Sequence, residues 1–301
     1  MKALVTGGAG FIGSHLVDEL VLKKYEVIVL DNLSTGNIKN LQKVKNKIKF
    51  VKCDLLKNKN LSKFINNVDY VFHLAGLSKV NESIKNPQKY YKANVISTLN
   101  ILNSIQGNNL KKFVYSASAS CYGNSKEMPT SEKAKIQTLS PYALTKWMSE
   151  KMIMERAKIY KFPAISLRFF NVYGPRAKVS NAYSSVISIF LKQKLTNKSL
   201  TVVGDGLQSR SFIYVSDVVN AMIKAAKSKI INEIFNVGSK KSVQINKIVE
   251  VLNGKKNYIS KRPGEPRHSH SDITKIERLL NWKPKISINE GIKILLKQAN
   301  V

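Results

Sequence analysis

Tyr142 and Lys146, four residues apart in "SPYALTKWMSE" (140–150), are of types that together could move a proton. In a helix, positions i and i+4 share a face, so the phenol and the ammonium would point the same way. A free phenol has a pKa of ~10 and is a poor base at neutral pH, but nearby positive charge favours its phenolate. A depression of roughly three units asks for ~4 kcal/mol of electrostatics, which two cations in a closed, dry site can supply. The spacing alone is a weak signal. Taken by itself, it reads more readily as a surface aromatic beside a solvated charge.

A second constellation lies at the start of the chain. Gly7, Gly10 and Gly13 in "TGGAGFIG" fall between an apolar run and a helical pattern. Glycines there permit a tight turn, close backbone approach to a pyrophosphate, and close packing of helix on strand. The following helix N-terminus offers unpaired N–H groups and partial positive charge to phosphates. Asp31 ends the next apolar run 18 residues after Gly13, where a carboxylate would bind ribose hydroxyls and repel a 2′-phosphate. The pattern therefore points to NAD rather than NADP.

The elements that must position these groups alternate. "KALVT" (2–6), "EVIVLD" (26–31), "IKFVKCD" (48–54), "VDYVFHLA" (68–75), "KKFVYSAS" (111–118) and "FPAISLRFF" (162–170) read as strands. A long helix is expected over 88–105, and another carries Tyr142 and Lys146. Such alternation predicts an α/β fold, a Rossmann-type doubly wound parallel sheet. The NAD-binding domain is expected over 1–171, with a return segment near 211–237. Residues 172–301 are expected to form a smaller, mostly helical C-terminal substrate lobe, with a helix over 182–193.

Composition narrows the chemistry. The 301 residues are 43% hydrophobic and 23% charged, an ordinary globular balance. No stretch approaches the ~20 apolar residues of a membrane span. "MKALVTGGAGFIG" has no signal-peptide shape, so a cytoplasmic location is expected. Two cysteines and four scattered histidines make neither a disulfide framework nor a metal site, and no metal is expected. The net charge of +31 would suit a nucleic-acid binder, but the lysines are spread along the whole chain. No aromatics interleave with arginines as a base-stacking surface would need. Lysine and asparagine enriched together read as genomic base bias.

With these motifs in fixed order, "TGGAGFIGSHL", "SASASCYG", "YALTK" and "LRFFNVYGPR", the chain resembles the extended short-chain dehydrogenase/reductase family, and within it the nucleotide-sugar 4-epimerases. The resemblance runs from residue 2 to about 297. It implies bound NAD, a UDP-sugar substrate and a homodimer paired through the helices around 88–105 and 142–160, which carry Met152, Ile153 and Ile159. It implies catalytic roles for Ser118, Tyr142 and Lys146. The cofactor contacts it implies are Gly7, Gly10, Phe11, Ile12, Gly13, Asp31 and Asn32 around the first turn. Further along they are Asp54, Leu55, Leu74, Ala75, Gly76, Asn94 and Ser116, with Tyr142 and Lys146. The substrate contacts it implies are Ser118, Tyr142, Asn171, Arg210, Arg262, Glu265 and Ser269.

Departures from the pattern are Ser97 for glycine, Ser211 for aspartate after Arg210, Ala117 and Cys121 for serine and valine, Ser78 for a lysine, and Glu265 for aspartate. The expected reaction is reversible oxidation at the sugar C4 with NAD, Tyr142 as base and Ser118 assisting. Ala119 and Ser120, following Ser118, supply no carboxylate, which argues against dehydratase and decarboxylase chemistry. The resemblance implies that Ser269 stands at a sugar-facing position, where a bulky aromatic tends to exclude an N-acetyl group. UDP-Glc/UDP-Gal and UDP-GlcNAc/UDP-GalNAc both remain open. Alternatives are UDP-glucuronate 4-epimerase, a dehydratase, a net oxidoreductase, or a non-catalytic NAD-bound nucleic-acid-binding protein.

Overall fold

The computed structural model describes residues 1–58, 60–105, 109–177, 185–260 and 266–299. By contact density the chain divides into two units. One comprises Met1–Ser118, Ser140–Arg168 and Val219–Phe235; the other comprises Ala119–Leu139, Phe169–Val218 and Asn236–Val301. The expectation is a boundary at residue 171 with a return near 211–237; by contact density the returning segment is Val219–Phe235, and Ala119–Leu139 groups with the second unit.

The first unit is built on a seven-stranded sheet. Its strands are β1 (Lys2–Thr6), β2 (Glu26–Asp31), β3 (Ile48–Lys52), β4 (Tyr70–His73), β5 (Lys112–Ser118), β6 (Ala164–Phe169) and β7 (Glu233–Val237), in the order β7-β6-β5-β4-β1-β2-β3. The pairs β1–β2, β2–β3, β1–β4 and β4–β5 are parallel. These strands are near-continuous apolar runs because helices cover both faces: Ala3, Leu4, Val5, Val29, Val71, Phe113 and Val114 are fully buried. Burial of each large aliphatic or aromatic side chain contributes about 1.5–3 kcal/mol. The winding reverses between β1 and β4. In open α/β sheets a ligand crevice forms at such a point, outside the carboxyl ends of the strands.

Three helices matter most for the site. α1 (Phe11–Leu22) buries Leu16, Val17 and Leu20 against the sheet. The helix expected over 88–105 is present as one continuous helical run, made of Pro87–Tyr90, a wider π-turn segment over Tyr91–Ile96 and α2 (Ser97–Ser104). α3 (Pro141–Ile159) starts at Ser140, whose side chain accepts from the Ala143 N–H at 3.2 Å, with Pro141 in the first turn.

The second unit holds three small sheets that the sequence pattern did not reveal. Asn171–Tyr173 pairs with Phe212–Tyr214, and Leu200–Val203 pairs with Lys256–Ile259. Ser209–Arg210 lies between Val243–Gln244 and His268–Ser269. Helices Val186–Leu195, Ile245–Val251, Thr274–Leu280 and Ile288–Gln298 accompany them; residues 182–184 of the expected helix lie outside the described residues. Trp282 anchors this unit, 1% exposed, its indole donating to the Asp217 carbonyl at 3.2 Å.

Candidate active site

The glycine turn leaves no room for side chains. Gly7 has φ +70°, and a Cβ there would lie 2.7 Å from the Ala75 nitrogen; a Cβ on Gly13 would lie 2.2 Å from the Gly7 carbonyl oxygen. Gly10 caps α1 without any side-chain bond, and no acidic residue stands in the first turn of Phe11, Ile12 and Gly13. That helix end is suited to an anion.

Asp31, 7% exposed at the end of β2, accepts the Ala9 N–H at 2.9 Å and the Leu33 N–H at 2.7 Å. Its carboxylate thus faces the glycine turn, and burial pushes its pKa up against those two bonds. A Cβ on Gly36 would touch both of its oxygens at 3.0 Å. The neighbouring Asn32 is exposed and accepts the Ser34 N–H at 3.0 Å.

Asp54 is half-buried and accepts the Leu56 N–H at 3.0 Å, whereas the Leu55 side chain is packed in the core. Leu74 and Ala75 leave β4 with their N–H groups bonded to the Thr6 carbonyl and hydroxyl, both at 3.1 Å. Gly76 lies where a Cβ would meet the Asn94 amide oxygen at 2.8 Å. Asn94, 2% exposed within the π-turn, accepts the Leu77 N–H at 2.7 Å. Its amide donates to the Leu77 carbonyl at 3.1 Å and to the Thr145 hydroxyl at 2.9 Å. With its side chain so committed, Asn94 ties the turn after β4 to α3. Ser116 is likewise committed, donating to the His73 carbonyl at 3.1 Å.

Geometry brings Ser118, Tyr142 and Lys146 to one end of the sheet. After α3 the chain re-enters at Pro163, whose carbonyl accepts the Phe113 N–H at 2.8 Å near the start of β5. α3 therefore runs back along β5, and its N-terminal turn lies toward the end of the strand. Lys146 fixes the height: its Nζ lies 4.3 Å from the ring centroid of Tyr115 in β5. From that contact Ser118 is three residues farther up the strand, about 10 Å, and Tyr142 is one turn up the helix, about 6 Å. Both are half-buried, and the Tyr142 ring meets Tyr90 edge-on at 6.5 Å. Lys146 is only 7% exposed. Burial lowers its pKa to about 7, against a smaller upward pull from Glu150.

Two groups that the sequence did not single out support this end. His73, fully buried, bonds the Thr6 hydroxyl at 2.7 Å and the Thr98 hydroxyl at 2.9 Å. Thr98 in turn donates to the Asn94 carbonyl at 2.6 Å. Burial, with the Lys146 charge adding to it, lowers the His73 pKa to about 3, so the ring is neutral. One turn below Lys146, Glu150 accepts from Arg168 at 2.6 Å and from Ser166 at 2.8 Å. No local pattern announces either group, since the partners are 16 or more residues apart.

In the second unit, three expected substrate contacts gather around Ser211. The Asn171 N–H donates to the Ser211 carbonyl at 3.1 Å, and the Ser211 N–H donates to the Ser269 carbonyl at 2.8 Å. Arg210 is the register partner of Ser269 and is half-buried. Ser211 itself is fully buried, its hydroxyl bonded to the Ser239 carbonyl at 2.6 Å and the Ser271 hydroxyl at 2.8 Å. Arg262 and Glu265 lie outside the described residues. Among the described residues no cluster of histidine, cysteine and carboxylate could hold a metal. No described helix is long and apolar enough to cross a membrane.

A Gly-rich strand–turn–helix, an acid ending β2, and a tyrosine–lysine helix packed on β5 define a dinucleotide-dependent enzyme of the short-chain dehydrogenase/reductase type. Residues 3–238 match the NAD dependent epimerase/dehydratase family, and the chain belongs to it. NAD is that family's cofactor, and the glycine turn, the uncapped acid-free helix end and the Asp31 carboxylate fit it. The chain is 40% identical over 299 residues to a putative UDP-glucose 4-epimerase of Methanocaldococcus jannaschii, covering 96% of this chain and 95% of that one. Its structure is similar to that of the UDP-glucose 4-epimerase of Thermotoga maritima with UDP-glucose. There the TM-score is 0.95 and the identity 34%, over 100% of this chain and 99% of that one. It is also similar to the UDP-N-acetylglucosamine 4-epimerase of Methanobrevibacter ruminantium in complex with UDP-N-acetylmuramic acid. In that case the TM-score is 0.92 and the identity 35%, over 99% and 98% of the two chains.

Proposed function

We propose that this enzyme interconverts the C4 epimers of a UDP-hexose through a transient 4-keto sugar. The observation that carries the reading is the placement of Tyr142 and Lys146 one helical turn apart, with the lysine buried against β5 and Ser118 at that strand's end. NAD, when bound, supplies a reversible hydride acceptor.

Tyr142 takes the proton from the sugar 4-hydroxyl as the C4–H bond breaks, and returns it to the oxygen when that bond re-forms on the opposite face. Ser118 hydrogen-bonds the same oxygen and holds it toward the phenol. The Lys146 ammonium stabilises the phenolate, which is otherwise a minor form at neutral pH. Gly7, Gly10 and Gly13, with the first turn of α1, seat the pyrophosphate, and Asp31 takes the ribose hydroxyls. Arg210, Asn171 and the sequence-expected Arg262 and Glu265 hold the UDP moiety.

The relatives support three sugar classes, UDP-glucose, UDP-N-acetylglucosamine and UDP-glucuronic acid. Ser269, a small residue, supports a pocket wide enough for the N-acetyl group. The absence of a carboxylate at Ala119 and Ser120 disfavours dehydration and decarboxylation. Incubation with a panel of UDP-hexoses and separation of the C4 epimers tests the reading. Wild type is expected to equilibrate at least one pair and Tyr142→Phe to lose that turnover; near-normal turnover by the variant overturns the assignment.

We further propose a homodimer paired through α3 and the π-turn segment, where Met148 and Ile96 are 36% and 43% exposed. Of the apolar residues expected to drive pairing, Ile153 is fully buried and Met152 packs against the core, so only Ile159, 69% exposed, is available. Sedimentation showing only monomer would refute the dimer.

A further inference from the structure

Lys146 needs a partner inside the fold if it is to act as a cation beside Tyr142. Among the described residues, no carboxylate or hydrogen-bond acceptor reaches its Nζ; what meets it is the ring of Tyr115, at 4.3 Å. Tyr115 is 1% exposed and held from several directions. His73 is its register partner across β4–β5, so both side chains stand on the same sheet face, and the two rings stack at 5.7 Å and 26°. The Tyr115 hydroxyl reaches the Lys146 carbonyl at 3.5 Å and also bonds Ser149, one turn below. The ring cannot swing aside without breaking its own contacts to α3.

We propose that Tyr115 is a positioning residue, whose ring face seats the Lys146 ammonium in its charged form just below Tyr142. The proposal rests on the cationic role given to Lys146 above.

A desolvated ammonium over an aromatic face is stabilised by the ring quadrupole. The other groups around Lys146 do not replace that support. Glu150, on the same helix, raises the lysine's pKa, but its oxygens are bonded to Arg168 of β6 and to Ser166. His73 of β4 is neutral between Thr6 and Thr98, and so adds no competing cation. Tyr142 is one turn away on α3. A ring in place of a carboxylate holds the charge without quenching it by an ion pair.

The test follows the Lys146 titration directly. The protein with NAD bound is labelled with ε-13C lysine, and the Lys146 resonance is assigned by its loss in Lys146→Met. Tyr115→Phe is expected to leave the titration within about 0.3 pH unit of wild type, since the ring face is kept. Tyr115→Leu is expected to lower it by about one pH unit. Tyr115→pentafluorophenylalanine, which keeps an aromatic ring of similar size and reverses its quadrupole, is expected to lower it at least as far and carries the test should the leucine variant fail to fold. In turnover, the alkaline limb of kcat moves with the titration while KM for the UDP-sugar holds. A fluorinated ring that leaves the Lys146 titration at its wild-type position overturns the proposal, whatever the activity. If no UDP-hexose is turned over but the titration still follows the ring, the epimerase reading fails and the role of Tyr115 stands.

Discussion

Glu150 and Arg168 form an ion pair at 2.6 Å with side chains only 1% and 4% exposed. Both guanidinium Nε contacts, at 3.2 and 3.0 Å, and the Ser166 hydroxyl at 2.8 Å complete the pairing of the carboxylate. Removing one partner strands a buried charge, a loss of about 3–5 kcal/mol. Glu150→Ala is expected to lose that much in denaturant unfolding, whereas Glu150→Met combined with Arg168→Met recovers most of it. Equal stability of Glu150→Ala and wild type would contradict this account.

Lys146 makes the opposite trade. Burial holds its folded pKa at about 7, below the value near 10.5 expected of an unfolded lysine. Between those values the unfolded state binds the extra proton, so this residue's contribution to stability is complete only at high pH and is lost as pH falls through about 7. Lys146→Met is therefore expected to raise the stability of the cofactor-free protein at pH 6 by on the order of 1–3 kcal/mol, while abolishing turnover. Thermal unfolding of the two proteins across pH 6–10 checks this, with the gap closing toward alkaline pH.

His73 contributes an acid limb. Its folded pKa is about 3, against 6.5 for an ordinary histidine, so between those values the unfolded chain carries the extra proton. Stability is expected to fall as pH drops below about 6.5, by up to ~1.4 kcal/mol per pH unit. Subtracting the profile of His73→Gln from that of wild type isolates this slope from the carboxylates. Parallel profiles would show that His73 is not held neutral.

How much of this was legible in the sequence varies by element. β1 and β2 match their expected bounds because Val- and Ile-rich runs stop at the glycine turn and at Asp31. β4 and β6 are shorter than their apolar runs, 70–73 against 68–75 and 164–169 against 162–170, since apolarity continues past the last ladder bond. The π-turn at Tyr91–Ile96 left no trace in the pattern. There the Asn94 carbonyl accepts the hydroxyls of Thr98, one turn on in the same helix, and of Ser149 from α3, a long-range contact. Two-residue strands such as Ser209–Arg210 are too short to show a period of two. Tyr142 and Lys146 could be picked out because their spacing is local. The Tyr115 ring beneath Lys146 could not, because it depends on which strand α3 covers.

Gly13 gives a sharp test of the cofactor seat. A methyl group there would sit 2.2 Å from the Gly7 carbonyl oxygen and 2.9 Å from the Gly8 Cα, far inside van der Waals contact with backbone. Gly13→Ala is expected to weaken NAD binding at least tenfold by calorimetry, because the turn must open to admit the methyl group. Unchanged affinity would mean that the turn does not bear on the pyrophosphate.

The most direct measurement uses a UDP-hexose carrying deuterium at C4, incubated in ordinary water and followed to its C4 epimer. If the hydrogen leaves C4 within the closed site while Tyr142 handles only the hydroxyl proton, the epimer retains deuterium at C4, with a primary isotope effect on turnover. Deuterium lost to solvent, or an epimer formed at the same rate by Tyr142→Phe, would contradict the account.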